Sequence, residues 1–319
     1  MASSEPKALK RCLLNGNTGR EVELQKKNGL LRVMQWNILA DALSYSSPTQ
    51  NFIKCSPEVL SWPARKERIL RDIILYSPDL VCLEEVDHFH DYFAPELKAR
   101  GYKCTFLAKP DSPCLHVRGH TSPDGCAMFV KEDRLEIKRT QEVVLKDEQS
   151  LPSNQVAILM NLYDLQKKCT FLAAVTHLKA KEGNEMIRLA QGKDLLFNVT
   201  QMKCATGSDT KVLPILICGD FNATPDEPIY QEMLKEGLKS AYFVAARQEA
   251  QFTTWKFRPN GEVCHTIDYV WHSSEFIVRN FLEIPSKDIV GSTALPTIEF
   301  PSDHASLLFD FELSHHSHE

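Results

Sequence analysis

Short apolar runs recur along this chain, and one after another they end on, or start from, a carboxylate, an amide or a histidine. Val33–Trp36 leads into Asn37, Leu80–Leu83 into Glu84 and Glu85, and Phe171–Thr176 into His177. Leu213–Gly219 leads into Asp220 and Asn222, Asp268 stands just before Tyr269–Trp271, and Ser302-Asp303-His304 precedes Ala305–Phe311. Scaffold strands commonly present functional side chains where they end, so this pattern favours a sheet scaffold with a polar site along one edge. A single carboxylate at a strand end is ordinarily a solvated turn residue. The repetition, always with hard oxygen donors or histidine, is what points to a site. Gly219 reads as a place where the backbone can approach a ligand closely.

The segments between these endings give the fold class. Leu31–Ile38 alternates apolar and polar residues, the pattern of a half-buried strand. Asp79–Glu84, Gly125–Val130, Val156–Leu165, Cys169–Leu178, Val212–Cys218, Tyr269–Trp271, Phe276–Ile284 and Ala305–Phe311 read as further strands. Arg65–Tyr76 carries apolar residues at helical spacing and stops at Ser77-Pro78. Asn184–Lys203 and Asp226–Glu236 read as helices ended by Gly207 and Gly237. Arg65-Lys66-Glu67-Arg68 reads as a solvated helix face. Many strands, few helices and short connections predict an α/β (α+β) fold of mixed or antiparallel sheets packed together with helices outside.

The 319 residues, 43% of them hydrophobic, are ample for one core, and no long polar linker divides them. Residues 1–29 read as a flexible polar leader with a short strand at Glu21–Leu24, 30–313 as the working domain, and 314–319 as a His-rich tail carrying His315, His316 and His318. A net charge of −5 advertises no general affinity for nucleic acid, so a substrate phosphate has to be drawn in by local cations or a metal. The ten cysteines are irregularly spaced and several lie inside apolar runs, which predicts reduced thiols rather than a disulfide framework or a zinc site. No apolar stretch approaches the roughly 18 residues of a membrane span, and no signal peptide is visible. The expected protein is a cytoplasmic monomer, with mitochondrial or nuclear forms if a targeting segment has been removed.

Carboxylate and amide oxygens are hard ligands suited to Mg²⁺. A metal can polarise a phosphoryl oxygen, an Asp can orient and deprotonate water, and a His paired with a second Asp can donate a proton. Together these parts fit metal-assisted hydrolysis of a phosphoester.

The motifs Gln35-Trp36-Asn37-Ile38-Leu39, Leu83-Glu84-Glu85-Val86-Asp87, Thr176-His177-Leu178, Cys218-Gly219-Asp220-Phe221-Asn222, Thr266-Ile267-Asp268-Tyr269 and Pro301-Ser302-Asp303-His304 follow one another in the order of the endonuclease/exonuclease/phosphatase superfamily. The resemblance covers about residues 31–312. Segments 108–115, 123–127, 153–157, 177–181 and 253–256 place the likeness in the deadenylase branch. It implies a four-layer α/β sandwich, two mixed β-sheets packed face to face with helices outside. By that resemblance Glu85 is the principal Mg²⁺ ligand with Asn37 close by, and Asp303 touches a metal or a water on it. Asp220 orients the attacking water and Asn222 holds the phosphoryl group. His304 contacts a non-bridging oxygen, held in its tautomer by Asp268, and His177 binds the phosphate from another side. One or two Mg²⁺ ions are implied, with Mn²⁺ as a substitute.

Lys109, Lys179, Lys181 and Arg258 fall where relatives carry cations facing the nucleotide's phosphates. Relatives often have Arg at the position of Lys181, which keeps the charge and loses the bidentate fork. Phe221 and Trp255 are candidates to pack on a base or ribose. Against this stand a solvated basic loop at Lys179–Lys181 and a core role for Trp255. Two adenine-nucleotide substrates follow from the resemblance: the 3′ end of poly(A), hence mRNA, and the 2′-phosphate of NADP(H). The acidic net charge favours the compact dinucleotide. The alternatives are a non-catalytic RNA- or nucleotide-binding member of the fold and another phosphodiesterase of the superfamily.

Overall fold

The computed structural model describes residues 11–45, 51–204 and 213–314. In chain order the first strands are β1 (Leu13–Asn15), β2 (Leu31–Asn37), β3 (Leu80–Glu84), β4 (Tyr102–Ala108) and β5 (Gly125–Lys131). Then come β6 (Leu135–Lys146), β7 (Pro152–Asp164), β8 (Cys169–His177), β9 (Ile215–Asp220) and β10 (Lys239–Ser240). The last are β11 (Thr254–Arg258), β12 (Gly261–His265), β13 (Asp268–His272), β14 (Phe276–Leu282) and β15 (Leu307–Leu313). They form a seven-stranded sheet in the order β1-β14-β15-β2-β3-β5-β4, a six-stranded sheet in the order β10-β13-β9-β8-β7-β6, and the hairpin β11–β12. Each large sheet is mixed: β2–β3 and β8–β9 pair in parallel, the remaining neighbours antiparallel.

Side-chain alternation builds the layers. Val33, Leu80, Cys82 and Met128 of one sheet meet Ile158, Met160, Val175 and Cys218 of the other in a shared core. The intervening residues Met34, Trp36, Val81 and Leu83 point the other way and pack on the helix Trp62–Tyr76 through Ile69, Leu70 and Ile73. On the second sheet Leu159, Leu172, Ala174 and Ile217 pack on the helices Glu185–Cys204 and Pro228–Lys235 through Leu195, Val199, Ile229 and Met233. Helix, sheet, sheet, helix is the four-layer sandwich that the resemblance implies. Each fully buried aliphatic side chain contributes about 1.5–3 kcal/mol.

Several local expectations change. β2 is buried along its whole length rather than half-buried. Its polar residues look inward to partners, Arg32 to Asp310 on β15 (2.6 Å) and Gln35 to Glu84 (2.8 Å). Arg65 is not on a solvated face: it has no exposed surface, and its guanidinium donates to the carbonyls of Ile38, Leu39, Leu60 and Pro301. The leader is partly structured, because Leu13–Asn15 pairs with β14 and Leu13 is buried, while Glu21 makes only a single bridge to Leu14. Gly219 gives room to the neighbouring strand rather than to a ligand, since a Cβ there would lie 2.2 Å from the Thr176 carbonyl oxygen. Gly207 and the tail histidines lie outside the described residues.

Burial makes the Arg32–Asp310 pair a sensitive probe of the fold. Arg32→Met leaves a buried carboxylate uncompensated and is expected to destabilise the protein by about 3–5 kcal/mol in urea unfolding. Adding Asp310→Leu to that variant should recover part of the loss.

Candidate active site

Two parallel registers converge the functional side chains. β2 beside β3 sets Asn37 against Glu84, and β8 beside β9 sets His177 against Asp220. Antiparallel β13 sets Asp268 on the other side of Asp220. After β3 the chain turns through Glu85 with φ +56°. Its carboxylate then accepts from Asn37 Nδ2 (3.1 Å) and from the backbone N–H of Ala40 (3.2 Å). The same Asn37 nitrogen donates to Asp220 Oδ2 at 2.9 Å, so one amide bridges two carboxylates. Asn37 Oδ1 is taken by the Leu39 N–H. Asn222 also has a positive φ of 50°, and its backbone N–H donates to Asp220 Oδ1 at 2.9 Å.

Around Asp220 Oδ2 lie His177 Nε2 at 3.5 Å and His304 Nε2 at 3.9 Å. His304 Nδ1 is 2.8 Å from Asp268 Oδ2. Asp268 is itself clamped, accepting from Thr253 Oγ1 at 2.6 Å and Gln35 Nε2 at 3.1 Å. Asp220, Asp268 and His304 could in principle share an ion, with donor atoms within 4.8 Å of one another. Asn37, the Asn222 N–H, Thr253 and Gln35 all donate to the trio's two carboxylates, an arrangement suited to orienting protons. Glu85 could hold a metal: its oxygens are hard, accept among the described residues from the two N–H groups given above, and belong to a residue that is only partly buried.

Charge states follow from this packing. Burial opposes a proton on His304, but Asp268, Asp303 and Asp220 outweigh it and raise its pKa to about 9. Burial, together with Lys109, His304 and Lys256, holds His177 well below the usual histidine value. Asp220 is pushed up to about 7 by burial and by Asp268, against the pull of His304 and Asn37. Burial, Asp268 and Asp220 raise Glu84 well above the carboxylate range. At neutral pH the site therefore offers an imidazolium at 304 and a neutral imidazole at 177.

The surrounding positions are placed unevenly. Lys109 is nearly buried and pairs with Asp124 at 2.7 Å. Lys179 is half-buried and Lys181 exposed, and their carbonyls are held by buried Arg188 at 3.0 and 2.8 Å. Arg258 is exposed at the end of β11. Phe221 does not face a base: it is 1% exposed and packs edge-on against Tyr269 and Trp271. Trp255 is buried with Nε1 donating to Glu262 at 2.7 Å, in keeping with the core reading. Asp303, expected at a metal, is in contact with the Lys256 ammonium. Lys256, Gln35, Thr253, Asp124 and Arg188 are additions that sequence reasoning missed. Lys256 and Thr253 stand in the Thr253–Lys256 segment, whose likeness to relatives was the available signal.

The profile of the Endonuclease/Exonuclease/phosphatase family matches residues 34–304. Nocturnin of Xenopus laevis is 44% identical over 289 residues, which are 89% of this chain and 72% of the frog protein. The 3′-5′-exoribonuclease subunit Ccr4 of the Saccharomyces cerevisiae CCR4-Not complex is 27% identical, covering 85% of this chain and 38% of the yeast protein. Among solved structures, the human Nocturnin catalytic domain with bound sulfate superposes with a TM-score of 0.77 at 37% identity, covering 98% of this chain and all of that one.

The His304 charge makes a test in the metal-free protein. Its folded pKa of about 9 exceeds the ordinary 6.5, so its stabilisation is complete below pH 6.5 and disappears as pH rises through about 9. On raising the pH from 7 to 10, stability should fall more steeply in the wild type than in His304→Gln, by on the order of 3 kcal/mol. Asp268→Asn should move the His304 imidazole titration, read by NMR, to lower pH.

Proposed function

This chain belongs to the endonuclease/exonuclease/phosphatase family, whose members are metal-dependent phosphoester hydrolases, and from that premise we propose that it hydrolyses a phosphoester of an adenine nucleotide. The observation that carries the proposal is Asp220, whose Oδ2 is faced by Asn37, His177 and His304 while Asn37 also holds Glu85. A divalent cation, Mg²⁺ or in its place Mn²⁺, would be held by Glu85 with Asn37 at its margin, and would offset the charge of the phosphoryl oxygens. Asp220 orients the attacking water and takes its proton. The His304 imidazolium, steadied by Asp268, donates to a non-bridging oxygen, and Asn222 and His177 hold the phosphoryl group from either side.

The favoured substrate is the 2′-phosphate of NADP(H), released as inorganic phosphate. The cations that the resemblance assigns to the nucleotide, Lys109, Lys179, Lys181 and Arg258, are few on a chain of net charge −5, which suits a compact dinucleotide better than an RNA track. The second reading, removal of AMP from the 3′ end of poly(A), is favoured by likeness to the yeast exoribonuclease. The chain spans 66–72% of the length of the frog and human nocturnins, so RNA-directing partners belong to this second reading. The ten unpaired cysteines fit a reducing compartment such as the cytoplasm.

Purified protein with Mg²⁺, given NADPH and a labelled A-tailed RNA in parallel, decides between the two. Phosphate release without RNA shortening is the expected result, and shortening without phosphate release reverses the assignment. Glu85→Ala should lower whichever rate is measured by at least about 10²-fold. An unchanged rate would remove Glu85 from the metal site, and no hydrolysis of either substrate would make the chain a binding member of the fold.

A further inference from the structure

Asp303 has the credentials of a second metal ligand. It is 3% exposed, stands beside His304, and its Oδ1 has no hydrogen-bond partner among the described residues. Its Oδ2, however, contacts Lys256 Nζ, and His304 Nε2 lies 3.9 Å from that same oxygen.

The ammonium is held there by the fold. Lys256 belongs to β11, and the residues just before it are tied to the Asp303 loop. The Thr254 hydroxyl donates to the Asp303 carbonyl at 2.8 Å, the Trp255 N–H donates to the same carbonyl at 3.3 Å, and Thr254 bridges His304. Only 11% of the Lys256 side chain is exposed. The Asp303 Oδ2 is thus already met by the Lys256 ammonium, with the His304 ring beside it. A divalent ion added at this oxygen would be driven against the nearly buried ammonium, with little water to screen the two.

We propose that Lys256 is the fixed second cation of this site, taking the place at Asp303 that a second metal ion would occupy, so that the chain binds a single divalent ion, at Glu85. The proposal rests on the hydrolase reading for its catalytic meaning, but the ion count is independent of substrate. In terms of chemistry, Lys256 supplies beside His304 a positive charge that needs no metal loading, which suits a phosphoryl group gaining negative charge on its oxygens.

The test is Mn²⁺ stoichiometry of the substrate-free protein, read by calorimetry and by the electron paramagnetic resonance signal of free Mn²⁺. Wild type should bind one Mn²⁺ per chain, and Glu85→Gln should abolish it. Lys256→Met should admit a second, weaker Mn²⁺, and Lys256→Met with Asp303→Asn should return the count to one. Lys256→Arg keeps the charge and should stay at one, with circular dichroism confirming that each variant folds. In whichever hydrolysis assay is positive, Lys256→Met should turn the Mn²⁺ dependence of the rate from hyperbolic to sigmoidal. Two Mn²⁺ in the wild type, falling to one in Asp303→Asn, overturns the proposal. So does a folded Lys256→Met that still binds one. Absence of hydrolysis with both substrates would count against the functional reading and leave the ion counts to decide this one.

Discussion

One buried guanidinium holds the two halves of the site together. Arg65 rises from the helix Trp62–Tyr76 and donates to Ile38 and Leu39 (3.0 and 2.9 Å), immediately after Asn37, and to Pro301 (3.3 Å), immediately before Ser302-Asp303-His304. The loop carrying the amide that bridges Glu85 and Asp220 is thereby fixed relative to the loop carrying His304. The Ser302 hydroxyl reinforces the link by donating to the Asn37 carbonyl at 2.6 Å. Carbonyl groups buried at loop ends need donors, and this single arginine serves four of them from Nη1 and Nε. Each of those bonds shortens the list of conformations available to catalytic side chains.

Around this clamp the electrostatics are those of buried carboxylates crowded among a few nearly buried cations. Glu84, Asp220 and Asp268 are all buried, and such a group of carboxylates cannot ionise independently. The fold answers with distinct partners: Gln35 donates to both Glu84 and Asp268, Asn37 to Asp220, and His304 carries the charge between Asp268 and Asp303. Lys109 follows β4 and Lys256 lies on β11, and burial together with these two and His304 denies His177 a proton. A substrate phosphate entering here finds donors that are already charged and already fixed.

Strand endings were the most legible part of this chain. Asn37, Glu85, His177, Asp220, Asp268 and His304 could be picked out because apolar runs stop or start at them, and the structure gathers them where strands of the two facing sheets end. Exposed or edge elements were harder to see. β6 carries Glu136, Lys138, Arg139 and Glu142 and pairs only with β7, so little of its sequence is shaped by burial. Buried polar residues were hardest. Arg65 and Arg32 look like surface residues in any reading of local pattern, because what makes them interior is a partner more than 200 residues away, Pro301 and Asp310 respectively. Phe221 shows the opposite error: adjacency in sequence to Asp220 and Asn222 places it near the chemistry, while strand alternation turns its ring into the helix-side core.

The positive φ of Glu85 has a consequence for how this protein trades robustness against work. A glutamate in the left-handed region strains its backbone, by about 1 kcal/mol or more, where a glycine would rest freely. Asn222, on the far side of Asp220, carries a milder form of the same tension. Selection for durability alone would relax both turns. Their retention of bulky polar side chains marks the spots where the molecule keeps an avoidable conformational tension because the carboxylate and the amide must stand there, and thermal hardening of this scaffold has to be sought elsewhere.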